Sequence, residues 1–80
     1  MDHGLAPMQE SVADRLSVHV NGEAMLTGAT TLEALVASLG HEARSVATAV
    51  NGDFVARGAR AQRRLAKGDA IEIVAPRQGG

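Results

Sequence analysis

The sequence predicts a small α+β domain in which a mixed sheet of about five strands packs around one main helix. Three observations support this class. Two alternating apolar stretches each end in Asn-Gly, one short helical stripe lies between them, and another alternating stretch follows near the end. With 80 residues, 45% apolar side chains and a net charge of −1, the chain fits one globular domain better than a disordered segment.

The first hairpin is predicted from the start of this pattern. Apolar residues alternate with polar ones at the two-residue period of a half-buried strand: Leu16, Val18 and Val20. Asn21-Gly22 then gives the strongest short hairpin signal, because a type I′ turn requires positive φ at both central residues. The return strand is expected over residues 23–27.

One helix is predicted after this hairpin. Its apolar stripe has i, i+3, i+4, i+7 spacing: Leu32, Leu35, Val36 and Leu39. Thr30 and Glu33 fit a capping box at its start, and Gly40 fits a left-handed stop at its end. The helix would have about three turns, so packing must hold it in place.

A second hairpin and a last strand complete the prediction. Alternation over 46–50 leads to Asn51-Gly52, and residues 53–56 return. A basic stretch, residues 57–67, follows with one possible turn around residues 63–65. A Gly-Asp turn precedes the last strand, residues 70–75, and Pro76 ends it because proline cannot donate to a ladder.

The predicted element order, ββαβββ, is that of the β-grasp fold of ubiquitin, in which the first and last strands lie parallel at the sheet centre. This domain is expected over residues 16–76, between a mobile N-terminal extension, residues 1–15, and a flexible tail, residues 77–80. The repeated Val-Asn-Gly indicates either duplication or the same turn chemistry used twice, and the second explanation is simpler.

The end of the chain is its most informative feature. Gly79 and Gly80 follow Arg77 and Gln78, and glycine can enter a channel that any Cβ would block. Four extended residues reach at most about 14 Å, enough to carry the terminal carboxylate into another protein's active site. An ATP-dependent partner could make that carboxylate reactive by converting it to an acyl adenylate. The alternative is a frayed terminus.

Composition excludes several other classes of function. The chain has no Cys, and its three His lie in unrelated segments without metal-ligand spacing, so no metal site is expected. No phosphate loop or nucleophile elbow is present, so the chain should not be an enzyme by itself. A pI near 6.3 argues against nucleic acid as a partner. Without a membrane-spanning run or a signal peptide, a cytoplasmic location is expected.

Several motifs together resemble one family. They are Val-Asn-Gly-Asp-Phe-Val at 50–55, Arg57, Arg64-Leu65, Gly68-Asp69, Ile71-Glu72-Ile73-Val74 and the ending Pro76-Arg77-Gln78-Gly79-Gly80. Over residues 16–80 the sequence resembles the sulfur-carrier protein of thiamin biosynthesis, the ThiS family.

The resemblance implies a protein co-substrate without a permanently bound cofactor, monomeric when free. The Gly80 carboxylate would be adenylated with ATP by an enzyme resembling ubiquitin activators, with Arg77, Gln78 and Gly79 threading into its site. A sulfur donor system would then form a thiocarboxylate, which thiazole synthase uses. Because the chain has no Cys, that carboxylate is the one plausible sulfur position.

Three other functions stay open at this point. The small subunit of molybdopterin synthase has the same fold and ending. A ubiquitin-like modifier would be joined to lysines through the same tail. A plain interaction module would have a passive tail.

Strand parity predicts a docking surface. If Val50 and Val55 face the helix, Phe54 and Val74 lie on the outer face beside the tail and form an apolar patch. In the reversed register, Phe54 enters the core. The basic stretch, which includes Arg57 and Arg64, is either a solvated loop or a surface complementary to an acidic partner.

Overall fold

A computed structural model of the protein describes residues 15–76. The predicted tail and all but the last residue of the predicted N-terminal extension therefore lie outside the described residues. The elements in chain order are β1 (Leu16–Val20), β2 (Glu23–Thr27), α1 (Leu32–Ser38), β3 (Ala47–Val50), β4 (Asp53–Val55) and β5 (Ala70–Val74). Two 3₁₀ helices occupy connections, Ala43–Ser45 before β3 and Arg57–Gln62 after β4.

The five strands form one mixed sheet in the order β2-β1-β5-β3-β4. The first and last strands, β1 and β5, pair in parallel, whereas the other neighbouring pairs are antiparallel. The predicted α+β class with the β-grasp arrangement is therefore confirmed. Strand bounds differ from the prediction by one residue at β3, β4 and β5.

Both Asn-Gly turns adopt the backbone conformation that the sequence predicts. Asn21 and Asn51 have φ of 51° and 53°, and the glycine after each has φ of 88°. These values match a type I′ turn, whose twist suits the flanking strands. Each hairpin consequently has a two-residue turn, which fixes the register of both strands.

The core lies between the inner face of the sheet and one side of α1. Eight apolar residues there are at most 8% exposed: Val18, Leu32, Leu35, Val36, Val46, Val50, Ile71 and Ile73. The predicted helical stripe supplies three of them, and Leu39 packs at their edge. Burial of this set holds a helix too short to be stable alone.

The predicted capping box at Thr30 is wrong by one residue. Thr31 is the N-cap, and its Oγ1 accepts the Ala34 N–H at 3.1 Å. The Thr30 carbonyl instead accepts the Leu65 N–H at 2.9 Å. α1 has seven residues, about two turns and not three, and Gly40 follows it with φ of 86°.

The basic stretch is also more ordered than predicted. Its first half forms the Arg57–Gln62 3₁₀ helix, which the sequence analysis did not predict. The predicted turn around residues 63–65 is instead an extended segment, in which Arg64 forms an isolated bridge with Thr31. The Leu32 N–H donates to the Arg63 carbonyl at 2.9 Å, so this segment anchors the start of α1.

Candidate functional site

The outer face of the sheet, turned away from α1, carries an apolar patch made of Ala47, Ala49, Phe54 and Val74. Phe54, the chain's one aromatic residue, is 73% exposed, and Val74 is 57% exposed. The predicted outward orientation of both side chains is observed, and the reversed register is not. An exposed aromatic ring on the same face as a second exposed apolar side chain marks a surface suited to contact with another protein.

The register of three strands creates this patch, which we call the Phe54 patch. Phe54 on β4 lies opposite Ala49 on β3, and Ala47 on β3 lies opposite Val74 on β5. Because β3 contributes two alanines to the outer face, its side chains are too short to cover the ring. The patch therefore extends from the edge strand β4 to the end of β5.

A shallow groove of about 260 Å³ borders the Phe54 patch. Its lining includes Phe54 and Ala47 together with two exposed arginines, Arg44 and Arg57. The structure thus brings the predicted docking residue Arg57 to the same groove as Phe54. Arg44 was missed by the sequence analysis, because it belongs to a separate 3₁₀ helix that meets the groove only in the folded chain.

Arg60 has a different role from the one predicted for the basic stretch. It is 3% exposed, so it is neither solvated nor available as a charged surface. Its Nε donates to Thr48 Oγ1 at 2.9 Å, Nη1 to the Ala43 carbonyl at 2.8 Å and Nη2 to the Val46 carbonyl at 2.7 Å. These bonds hold the segment that bears Arg44 against the helix that bears Arg57.

Arg64, the other predicted docking arginine, is placed elsewhere. It is exposed and pairs through its backbone with Thr31 at the start of α1. It does not line the groove beside Phe54. The structure therefore does not unite the two arginines in one surface.

The chain leaves the domain next to the Phe54 patch. β5 lies in the centre of the sheet and ends at Val74, a member of the patch, and the next two residues, Ala75 and Pro76, are exposed. Predicted site residues Arg77, Gln78, Gly79 and Gly80 lie outside the described residues. The patch and the strand that leads toward them share one end of the sheet.

The predicted Gly68-Asp69 turn holds the beginning of β5. Asp69 Oδ2 accepts the Ala66 N–H at 2.8 Å, and Oδ1 accepts an N–H of the Asn51 amide at 3.0 Å. Arg63 lies 3.7 Å from the same carboxylate. Burial raises the pKa of Asp69, but these two hydrogen bonds and the Arg63 charge outweigh it and hold that pKa below its ordinary value.

Within residues 15–76, no three His, Asp or Glu side chains are grouped so that they could hold a metal ion. No helix in that part of the chain has the length and apolar character needed to cross a membrane.

The fold, together with an exposed patch beside the last strand, defines a small ubiquitin-like domain of the β-grasp class. The chain belongs to the ThiS family, whose model matches residues 18–80. This membership supports a role as a sulfur carrier.

Solved structures agree with this assignment. The chain is similar to the crystal structure of the thiamine biosynthesis protein ThiS from Geobacter metallireducens, with 28% identity and a TM-score of 0.68. That match covers 81% of this chain and 100% of the other. The solution structure of a thiamine biosynthesis protein from the same organism gives 28% identity and a TM-score of 0.66, covering 81% of this chain and 88% of that one. None of the curated proteins compared with the chain matches it.

Proposed function

We propose that this chain is a sulfur carrier for thiamin thiazole synthesis, acting as a protein co-substrate through its Gly80 carboxylate. The single observation that carries the proposal is the ThiS family match, which runs from β1 to residue 80. The similar structures, which are thiamine biosynthesis proteins, favour the thiamin pathway over molybdopterin synthesis.

The proposed chemistry has two steps on a partner enzyme. A Gly80 carboxylate oxygen forms a bond to the α-phosphorus of ATP, and pyrophosphate leaves. Hydrosulfide then attacks the acyl carbon and AMP leaves, which gives a thiocarboxylate. Thiazole synthase would take the sulfur from that group. The chain itself supplies the carboxylate and the docking surface, and the partner supplies the binding site for ATP.

The Phe54 patch is the proposed docking surface for the adenylating enzyme. It combines a large exposed apolar side chain with two arginines in the bordering groove. Aromatic and arginine side chains are enriched among the residues that dominate binding energy at protein interfaces. The patch also adjoins the end of β5, so a partner seated there would lie close to the exit of the tail.

Pyrophosphate exchange tests the first step. An adenylating enzyme incubated with ATP and labelled pyrophosphate should incorporate label into ATP only when the chain is added, because exchange requires reversible formation of the acyl adenylate. A variant with one alanine appended after Gly80 is the matched control and should give no exchange. Equal exchange with and without the appended residue would refute a role for the Gly80 carboxylate.

A further inference from the structure

The two turn asparagines both reach across to the central strand β5, but at opposite ends. Asn51 holds its beginning, where Oδ1 accepts the Ala70 N–H at 2.9 Å and Nδ2 donates to Asp69 at 3.0 Å. Asn21 holds β5 near its end, at Ile73. Positive φ explains why asparagine suits both turns, but it does not require either side chain to bind another strand.

The Asn21 side chain takes the place of one peptide unit in the β1–β5 ladder. Backbone pairing between these strands ends at Val20 and Ile71, with the Asn21 N–H donating to the Ile71 carbonyl at 2.8 Å. There β1 turns away into its hairpin. Asn21 Oδ1 then accepts the Ile73 N–H at 2.9 Å, and Nδ2 donates to the Ile73 carbonyl at 3.2 Å. If β1 continued as a parallel strand, its backbone would make the same two bonds, one to the Ile73 N–H and one to the Ile73 carbonyl.

This arrangement secures both edges of β5 almost to its last residue. On one edge, β3 pairs with β5 as far as Ala47 opposite Val74. On the other edge, the amide of Asn21 binds both backbone groups of Ile73. The end of a strand frays readily when one edge is left without hydrogen bonds, so the two edges together fix the direction of the chain at Val74.

We propose that Asn21 is a positioning residue for the C-terminal tail. By binding the backbone of Ile73, it fixes the position and direction in which the chain leaves the domain relative to the Phe54 patch. When a partner docks on that patch, the tail is thereby directed toward the partner's ATP site. The inference rests on the proposed function, because it concerns delivery of the Gly80 carboxylate to ATP.

The expected fall in the adenylation rate follows from how strongly a reaction rate depends on the position of the reacting groups. Once the carrier has docked, its carboxylate reacts as a tethered group, and a displacement of about 1 Å can cost roughly 100-fold in rate. Loss of the Asn21 amide frees one edge of β5, but Val74 stays paired with Ala47 of β3, so the Phe54 patch keeps its members. The turnover number should therefore fall, whereas the KM for the carrier should stay the same.

Asn21→Gly and Asn51→Gly form a matched pair for the test. Glycine accepts the positive φ of both turns, so each variant removes one side-chain amide and keeps the hairpin. In steady-state adenylation, Asn21→Gly should lower kcat about tenfold and leave KM within about twofold. Asn51→Gly should leave both constants within about twofold, although it loosens the start of the same strand.

Amide hydrogen exchange gives a readout that does not depend on activity. The Ile73 amide should exchange faster in Asn21→Gly but not in Asn51→Gly, and the Ala70 amide should show the reverse. Asn21→Asp is a second variant, which keeps the acceptor for the Ile73 N–H and loses the donor. Its kcat should fall between those of the unmodified chain and Asn21→Gly.

Three results would overturn the inference. One is an unchanged kcat in Asn21→Gly, another is an equal fall in Asn51→Gly, and the third is unchanged Ile73 exchange in Asn21→Gly. If the unmodified chain is not adenylated at all, the proposed function fails, and the inference fails with it. If the unmodified chain is adenylated and the variants do not differ from it, the positioning role alone is refuted.

Discussion

The guanidinium of Arg60 lies inside the domain and joins separate segments through neutral oxygens. Its donors reach the Thr48 hydroxyl on β3 and the carbonyls of Ala43 and Val46. A buried cation is tolerated when its donors are satisfied in this way, because each bond offsets part of the lost hydration. Arg60 thereby sets the spacing of Arg44 and Arg57 across the groove beside Phe54.

Replacement of Arg60 should destabilise the fold strongly. In Arg60→Met, the Thr48 hydroxyl and the carbonyls of Ala43 and Val46 lose their donor, so the free energy of unfolding should fall by about 3 kcal/mol. Urea denaturation measures this change. Arg57→Met is the control, because Arg57 is exposed, and it should change stability by no more than about 0.5 kcal/mol. Equal losses of unfolding free energy in Arg60→Met and Arg57→Met would show that the buried hydrogen bonds of Arg60 do not stabilise the fold.

Asp69 should make stability depend on pH in the acid range. Its pKa in the folded state lies below the ordinary value of 3.8, so its ionised form stabilises the fold above about pH 4. That contribution is lost as the pH falls through the folded-state pKa. Asp69→Asn should therefore cost about 1–2 kcal/mol at pH 7, and the difference from the unmodified chain should shrink below about pH 4.

Urea denaturation at a series of pH values measures the Asp69 effect. Asp53→Asn is the control, since Asp53 is exposed on β4, and it should have little effect at pH 7. A deficit for Asp69→Asn that stays constant from pH 7 down to about pH 2 would show that the carboxylate charge is not responsible.

At the scale of elements, the strands were predictable and the start of the helix was not. Alternation and a two-residue Asn-Gly turn fix a register, and that register predicts the pairing of Phe54 with Ala49 that the structure has. Thr30 and Thr31 are adjacent and both suit an N-cap. The choice between them depends on the Leu65 N–H, which binds the Thr30 carbonyl from a distant part of the chain.

Two threonine variants test the observed cap. Thr31→Ala removes the acceptor of the Ala34 N–H and should lower the free energy of unfolding by about 1 kcal/mol. Thr30→Ala leaves the Thr30 backbone carbonyl in place and should cost less than about 0.5 kcal/mol. Thermal unfolding followed by circular dichroism compares them. A larger loss of unfolding free energy in Thr30→Ala than in Thr31→Ala would show that Thr30 is the N-cap, as predicted from the sequence.

At the scale of the whole molecule, the parallel pairing of β1 and β5 puts the strand that leads to the tail in the centre of the sheet. The chain consequently leaves beside a patch whose members Phe54 and Val74 were predicted from strand parity. Arg44 and Arg60 could not be assigned in this way. A run of basic residues is normally solvated, and the bonds of Arg60 join residues 12 to 17 positions apart in the chain.

The outer face offers a matched pair of variants for the docking surface. Phe54→Asp places a charge in the patch and should raise the KM for the carrier in adenylation at least about tenfold. Leu26 is on the edge strand β2, where it is 55% exposed and lies opposite Ser17 of β1. It is on the same face of the sheet as Phe54, at the opposite edge. Leu26→Asp should leave KM within about twofold.

Both substitutions replace exposed side chains, so both variants should fold, and circular dichroism verifies this before the kinetics are compared. Equal KM values for Phe54→Asp and Leu26→Asp would show that docking does not use the Phe54 patch. Global unfolding of Phe54→Asp would contradict the observed exposure of the ring.

Intact-mass analysis of the chain tests directly whether the Gly80 carboxylate accepts sulfur. The chain is incubated with ATP, sulfide and an adenylating enzyme already shown to act on a known sulfur carrier. We expect a mass gain equal to one exchange of oxygen for sulfur, located at Gly80 by fragmentation and absent when an alanine follows Gly80. An unchanged mass in that active mixture, or a sulfur found at any other residue, would contradict this expectation.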